Sequence, residues 1–245
     1  MSTNNSGISD HYLGEKGSQY FEGGFGKEKY FGRLIQTNYF RPFCNDELIL
    51  LDFGCADGFF LRNLPARKRI GVEANPVARE KCMEMSTQES CLIELHESLA
   101  SVGDETVDIV ISNHCLEHTL HPFDELKEMK RVLKQNGKLL LVVPFDDWRN
   151  SQYRNWVPNH KDNHLYTWSP MNLGNLLTDV GFAVEEITLI KSAWSPRLYW
   201  IYKYLGSGAF SLSCRMLSQI KNRREIFAKV AKPGVSGDYD GGVLK

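Results

Sequence analysis

An excess charge of one sign, a long apolar run and a cysteine framework are all missing from this chain of 245 residues. Lys and Arg number 29 against 30 Asp and Glu, a formal charge of −1. Phosphate-backbone binding depends on clustered Lys and Arg, so nucleic acid and anionic membrane are excluded as the main partner. No apolar stretch approaches the length of a membrane span, and none near the start reads as a signal peptide. The expectation is a cytoplasmic protein with no transmembrane segment. The six cysteines (44, 55, 82, 91, 115 and 214) have neither metal-type nor disulfide-framework spacing, which points to free thiols in a reducing compartment. Gly-x-x-x-x-Gly-Lys-Ser/Thr and Gly-x-Gly-x-x-Gly are both absent, so no phosphate-cradling loop of those kinds exists. No internal repeat and no Pro- or Ser-rich linker divides the chain.

What is present is most informative between Leu48 and Leu64. The apolar run Leu48–Leu51 reads as a buried strand, Asp52-Phe53-Gly54-Cys55-Ala56-Asp57-Gly58 as a turn, and Phe59, Phe60 and Leu64 as the start of a helix. Glycine in such a turn lets the backbone approach a ligand, and in open α/β sheets ligands sit beyond the carboxyl ends of the strands. The acids Asp52 and Asp57 flank the turn and suit a cationic ligand. A second strand, Ile70–Glu73, runs into Ala74-Asn75-Pro76. A third landmark is Val107–Ser112, mostly β-branched, running into Asn113-His114-Cys115-Leu116-Glu117-His118. Pro122 opens a helix with Phe123, Leu126, Met129, Val132 and Leu133 on one face, expected to run to an Asn136-Gly137 stop before a strand from Lys138 to Pro144.

In this order, Asp-x-Gly-Cys-Ala-x-Gly, the strand ending in Glu73, the Asn113–His118 segment and the strand–helix–Asn-Gly–strand unit resemble the class I S-adenosylmethionine-dependent methyltransferases. The resemblance covers roughly residues 48–182. It implies S-adenosyl-L-methionine as cofactor, with a loop of Asp52, Gly54, Cys55, Ala56 and Gly58 around its amino-acid end. It also implies Glu73 and Ala74 beside the ribose, Asn113 and His114 near the methyl group, and His118 in the pocket wall. Tyr12, Tyr20 and Tyr30 become candidate lid residues.

The remaining pattern completes an α/β fold: a Rossmann-like, mostly parallel seven-stranded sheet with helices on both faces and the last strand antiparallel. Further strands are expected near residues 92–96, 183–190 and 224–232, with a helix from Ser169-Pro170 to Gly181. A flexible N-terminus (1–18) and tail (233–245) would frame one domain (19–232), which carries acceptor-site insertions at about 146–167 and 191–222. In the second insertion Leu198, Ile201 and Leu205 are expected to pack inward, while Trp194, Arg197 and Tyr199 are candidates for the acceptor wall.

The acceptor's chemistry is less legible. Methyl transfer to oxygen needs a base or a metal, and histidine is the natural base near neutral pH. His160-x-x-x-His164 with Asp162 between them, followed by Leu165-Tyr166-Thr167-Trp168, is similar to segments of sugar and natural-product methyltransferases. The pair therefore supplies the candidate catalytic residues His164, His160 and Asp162, with hydrogen bonding of the loop backbone as the competing role. No metal is assigned. The acceptor is a small molecule, with a sugar or lipid-linked sugar in view, and a homodimer is an option. A non-catalytic cofactor-binding partner or scaffold of the same fold is the alternative function.

Overall fold

The protein's structure is a computed structural model that describes residues 7–22, 27–145, 155–157, 163–191, 196–220 and 224–234. Seven strands, β1 (Ile49–Phe53), β2 (Lys68–Val72), β3 (Glu94–His96), β4 (Val107–Asn113), β5 (Leu133–Pro144), β6 (Ala183–Lys191) and β7 (Arg224–Ala231), form one sheet in the order β3-β2-β1-β4-β5-β7-β6. Neighbours from β3 through β5 pair in parallel, and β7 runs antiparallel to both β5 and β6. The sheet is thus the seven-stranded, mostly parallel one expected, with its last strand reversed.

Strand periodicity divides the core in two. Leu51, Phe53, Val110, Leu139 and Leu141 face one side and pack on Leu126, Met129, Leu173 and Leu177 of α6 (Pro122–Val132) and α7 (Pro170–Val180). Leu50, Ile109, Ile111, Leu140 and Val142 face the other side. There they meet Phe40 of α3 (Lys27–Phe40), Phe59, Phe60 and Leu61 of α4 (Phe59–Asn63) and Cys82 of α5 (Pro76–Gln88). Both faces are apolar and covered, which is why the central strands read as unbroken hydrophobic runs. Leu126 is fully buried, and its truncation to Ala costs about 2–5 kcal/mol.

Helix starts follow local chemistry. Ser169 caps α7 by accepting the Asn172 N–H at 3.2 Å while Asn172 accepts the Ser169 N–H at 2.7 Å. Pro170 fills the first turn, and Gly181 ends the helix at φ +88°. Asn75 caps α5 through the Val77 and Ala78 N–H groups at 2.9 and 3.2 Å.

Two expectations are corrected. Asn136-Gly137 does not stop α6, which ends at Val132; the backbone is already extended from Leu133, where it pairs with Val107. Asn136 takes φ +61° inside β5, and its N–H reaches the Lys232 carbonyl at 3.0 Å. The Asn-Gly pair is a bend in a strand, a role open to the same residues because both tolerate a left-handed backbone. The second insertion holds α8 (Tyr199–Ile220), whose Ile201, Phe210 and Cys214 pack on Phe31 of α3. Leu205 is 64% exposed, not inward. It is the last residue before a kink at Gly206 (φ +83°), where the helix changes direction.

Ahead of the sheet, residues assigned by composition to the flexible N-terminus form α1 (Asp10–Leu13) and the first half of α2 (Glu15–Glu22). All six cysteines are unbridged.

Candidate functional site

β1 ends in a loop whose backbone must reverse within five residues. Gly54, Ala56 and Gly58 adopt φ of +77°, +49° and +74°, and the N–H groups of Gly54 and Cys55 both donate to the Val72 carbonyl at 2.8 and 3.1 Å. A Cβ on Gly54 would lie 2.4 Å from the Cys115 Sγ. Glycine is therefore required there both for its backbone and for the approach of β4's end.

The carboxyl ends of β1, β2 and β4 and the segment after β3 open onto a cavity of about 240 Å³. Gly54, Cys55 and Ala56 form its floor with Glu73 and Ala74. Glu97, Ser98 and Leu99 line one side, Asn113, His114, Cys115 and His118 another, and Ile8, Tyr12, Tyr20 and Phe21 lie above. Glu73 is held by two backbone donors, Ala56 N–H to Oε2 at 3.0 Å and Asn75 N–H to Oε1 at 2.9 Å. Burial raises its pKa, against the pull of these N–H groups and of Arg79.

The two acids expected to give the loop its negative field do something else. Asp57 is ion-paired with Arg33 at 2.5 Å and accepts the Phe59 N–H at 3.2 Å. Asp52 lies buried beneath the loop and does not line the cavity; nor does Gly58. Burial, and behind it the Glu73 and Asp57 carboxylates, pushes the Asp52 pKa up to about 8 against the pull of Arg33. Burial thus disfavours ionisation of both Asp52 and Glu73, and of the two only Glu73 lines the cavity. Arg33, which stacks on Phe59 at 4.4 Å and lines the cavity, escaped the sequence reading. It sits on a helix outside the motif region, and no local spacing marks it.

Past β4 the chain makes a tight turn. His114 has φ +51°, and its ring lies 3.0 Å from Glu225 on β7 and 3.4 Å from Glu117. Burial works against the charged imidazole, but the Glu117 and Glu225 carboxylates overcome it and hold the His114 pKa at about 9. Glu225 also accepts from Gln36 at 3.3 Å, and Gln36 in turn accepts from Asn113 at 3.2 Å. Asn113 and His114 thus reach the cavity already oriented by a buried network from α3 and β7. Burial of Glu117 is outweighed by the neighbouring histidines, and its pKa falls to about 2.

His118 lines the cavity, with its pKa lowered mainly by burial. The His164 ring stands 4.8 Å from it, edge to face. The segment carrying His164 is fixed there by the Leu165 N–H donating to the Glu117 carbonyl at 2.9 Å. His164 does not itself line the cavity but touches His118, which does. Its proposed companions His160 and Asp162 lie outside the described residues, as do Trp194 and most of residues 146–162. Among the described residues, Glu117, His118 and His164 form a group whose ligand-type atoms lie within 4.8 Å of one another.

The N-terminal helices bridge the cavity. Tyr12 packs its ring on His118 at 4.6 Å and accepts the Asn75 side-chain N–H on its carbonyl at 2.7 Å. Ile8 pairs with Thr119, and the Leu120 N–H donates to the Gly7 carbonyl at 2.8 Å. Tyr12 and Tyr20 both line the cavity. Tyr30 instead packs on Phe59 at 5.3 Å and does not line the cavity.

A family model described as "Methyltransferase domain" matches residues 27–187. An uncharacterized 37.1 kDa protein in transposon TN4556 of Streptomyces fradiae is 26% identical over 164 residues. That match takes in 59% of this chain and 46% of the relative, so the chain spans less than half the length of the curated protein it matches. Among solved structures, a SAM-dependent methyltransferase from Aquifex aeolicus has a TM-score of 0.58 at 13% identity, covering 87% of this chain and 97% of its own. Geranyl diphosphate C-methyltransferase from Streptomyces coelicolor, solved with Mg²⁺, geranyl diphosphate and S-adenosyl-L-homocysteine, has a TM-score of 0.57 at 14% identity, covering 84% and 79%.

Proposed function

The chain belongs to the methyltransferase-domain family, and from that premise we propose that it transfers a methyl group from S-adenosyl-L-methionine to a hydroxyl of a small-molecule acceptor. The observation that carries this reading is the pairing of the glycine loop with Glu73 at the floor of the cavity. Its residues fit the cofactor. Gly54 lets the loop backbone line the cavity while lying against Cys115 at the end of β4, and the lone pairs of Glu73 not taken by Ala56 and Asn75 can accept both ribose hydroxyls. Arg33, Ser98 and Leu99 line the same cavity and would contact the remainder of the cofactor. When bound, the cofactor supplies an electrophilic methyl group on a cationic sulfur.

The chain's own work is to hold, exclude and deprotonate. The lid of Ile8, Tyr12 and Tyr20 keeps water from the cavity, and Asn113 and His114 fix its methyl-facing wall. Positioning of the acceptor in line with the reacting bond supplies much of the rate. His164, assisted by His160 and Asp162, is the group that takes the acceptor's proton. It touches His118, which lines the cavity. A sugar or lipid-linked sugar is the acceptor class to screen first. A homodimer would use the exposed outer stripe of α8, Leu212, Met216 and Ile220, and light scattering tests it. No helix among the described residues is long and apolar enough to cross a membrane.

The testing experiment is calorimetric titration with S-adenosylmethionine and S-adenosylhomocysteine, with NAD as control, followed by methyl transfer to glycosyl acceptors. Micromolar binding of the first two alone is expected. Absence of binding by folded protein overturns the proposal, and binding without turnover on any acceptor leaves a cofactor-binding partner protein instead.

A further inference from the structure

Glu117 is the most deeply enclosed carboxylate of the site, with no exposure to solvent, yet neither of its oxygens accepts a hydrogen bond of good geometry. A buried carboxylate in that state is costly unless something else satisfies it. Three imidazoles stand beside it, and that of His114, 3.4 Å from Oε1 but turned also to Glu225, answers part of its charge. His118 Nε2 is 3.9 Å from Glu117 Oε1, and the ligand-type atoms of Glu117, His118 and His164 all lie within 4.8 Å of one another. We infer that these three side chains form a binding site for one divalent transition-metal ion at the edge of the cofactor cavity.

Three features support the assignment. The first is the tautomer of His118. Its Nδ1 lies 3.5 Å from the Asn163 carbonyl oxygen, which can only accept, so Nδ1 carries the proton and the Nε2 lone pair is left facing Glu117. A metal-ligating histidine commonly holds a backbone carbonyl in this way on its other nitrogen. The second is fixation. The Leu165 N–H donates to the Glu117 carbonyl at 2.9 Å, which locks the His164 segment against the turn carrying Glu117 and His118. The three donors therefore come from two segments bound to each other through their backbones, and no large rearrangement is needed to close them around an ion. The third is donor chemistry. Two imidazoles and one carboxylate suit Zn²⁺, Fe²⁺, Co²⁺ or Mn²⁺, whereas Mg²⁺ and Ca²⁺ prefer oxygen alone. Three protein ligands leave positions open for water or an acceptor.

The inference deepens the preceding reading, on which it rests only for its catalytic consequence. With the ion bound, His164 spends its lone pair as a ligand, and an acceptor hydroxyl on the metal sheds its proton to solvent water at a lower pH. Without the ion, the imidazole itself takes the proton.

The test is titration of the full chain with Co²⁺, followed by visible absorption and by displacement with Zn²⁺. The expected result is one Co²⁺ per chain with ligand-field bands and no thiolate charge-transfer band. His164→Ala and Glu117→Gln should each weaken binding at least about tenfold, while titration with S-adenosylhomocysteine shows that the His164→Ala protein still binds cofactor. Failure to bind Co²⁺ stoichiometrically, a thiolate signature, or unchanged binding in His164→Ala overturns the inference. Metal binding without cofactor binding would sink the methyltransferase proposal and leave this one standing, and the reverse result would do the opposite.

Discussion

The Ala56 backbone N–H donates to Glu73 Oε2 at 3.0 Å, joining the loop after β1 to the acid at the end of β2. The two features that the sequence separates by seventeen positions are one unit in space. The carboxylate orients the loop, and the loop fixes the carboxylate. Any change at Glu73 should therefore act on both.

Glu73→Ala should weaken S-adenosylhomocysteine binding by about 1–3 kcal/mol, about 5- to 150-fold in Kd. Glu73→Gln should lose less, since the amide oxygen still accepts one backbone N–H. Calorimetry distinguishes them, and equal affinities for Glu73→Ala and the natural protein would refute the ribose role.

Gly54→Ala should be worse than its size implies. Its Cβ would sit 2.4 Å from Cys115 Sγ and 2.8 Å from Cys115 Cβ, at a φ of +77° that alanine resists. Loss of cofactor affinity by at least tenfold and a lower Tm are expected. The measurements are calorimetry and thermal unfolding, and unchanged values in both would show that the loop is elsewhere.

His164→Ala should lower kcat about 10²- to 10⁴-fold while Kd for S-adenosylhomocysteine stays within about threefold, because His164 does not itself line the cavity. Steady-state kinetics with a working acceptor reads this directly. A fully active variant removes His164 from the chemistry, whether as base or as ligand.

His114 predicts a pH dependence of stability. Its folded pKa of about 9 lies above the ordinary imidazole value of about 6.5, because the Glu117 and Glu225 carboxylates outweigh burial. The folded state therefore holds a proton that the unfolded chain releases. The resulting stability is fully present below about pH 6.5 and is lost as pH rises through about 9. Asp52, raised to about 8, also loses stability with rising pH, so the comparison must isolate the histidine. The Tm advantage of the natural protein over His114→Gln should shrink by several degrees between pH 6 and about 9.5. A difference independent of pH would mean that His114 is neutral in the fold.

Much of this was legible in the sequence because it is written in short-range terms. Apolar runs at strand length, the Gly54–Gly58 turn, the Asn75-Pro76 and Ser169-Pro170 starts and the Gly181 stop each depend on a few adjacent residues, and the structure places all of them as read. The order of these signals also carried the alternation of strand and helix that makes a parallel sheet. Asn136-Gly137 misled for a local reason. A left-handed pair ends a helix or bends a strand equally well, and only the pairing of Leu133 with Val107 decides between them.

The tertiary structure alone decided how charge is distributed. Asp52 and Asp57 look alike along the chain, yet burial raises the pKa of one and the other is ion-paired with Arg33, 24 residues before it in the chain. His114 is charged because Glu225 arrives from the far end of the chain, and His164 meets Glu117 and His118 because Leu165 bonds to the Glu117 carbonyl. Such electrostatics depend on distance and burial in space, and a sequence lists the charges without either.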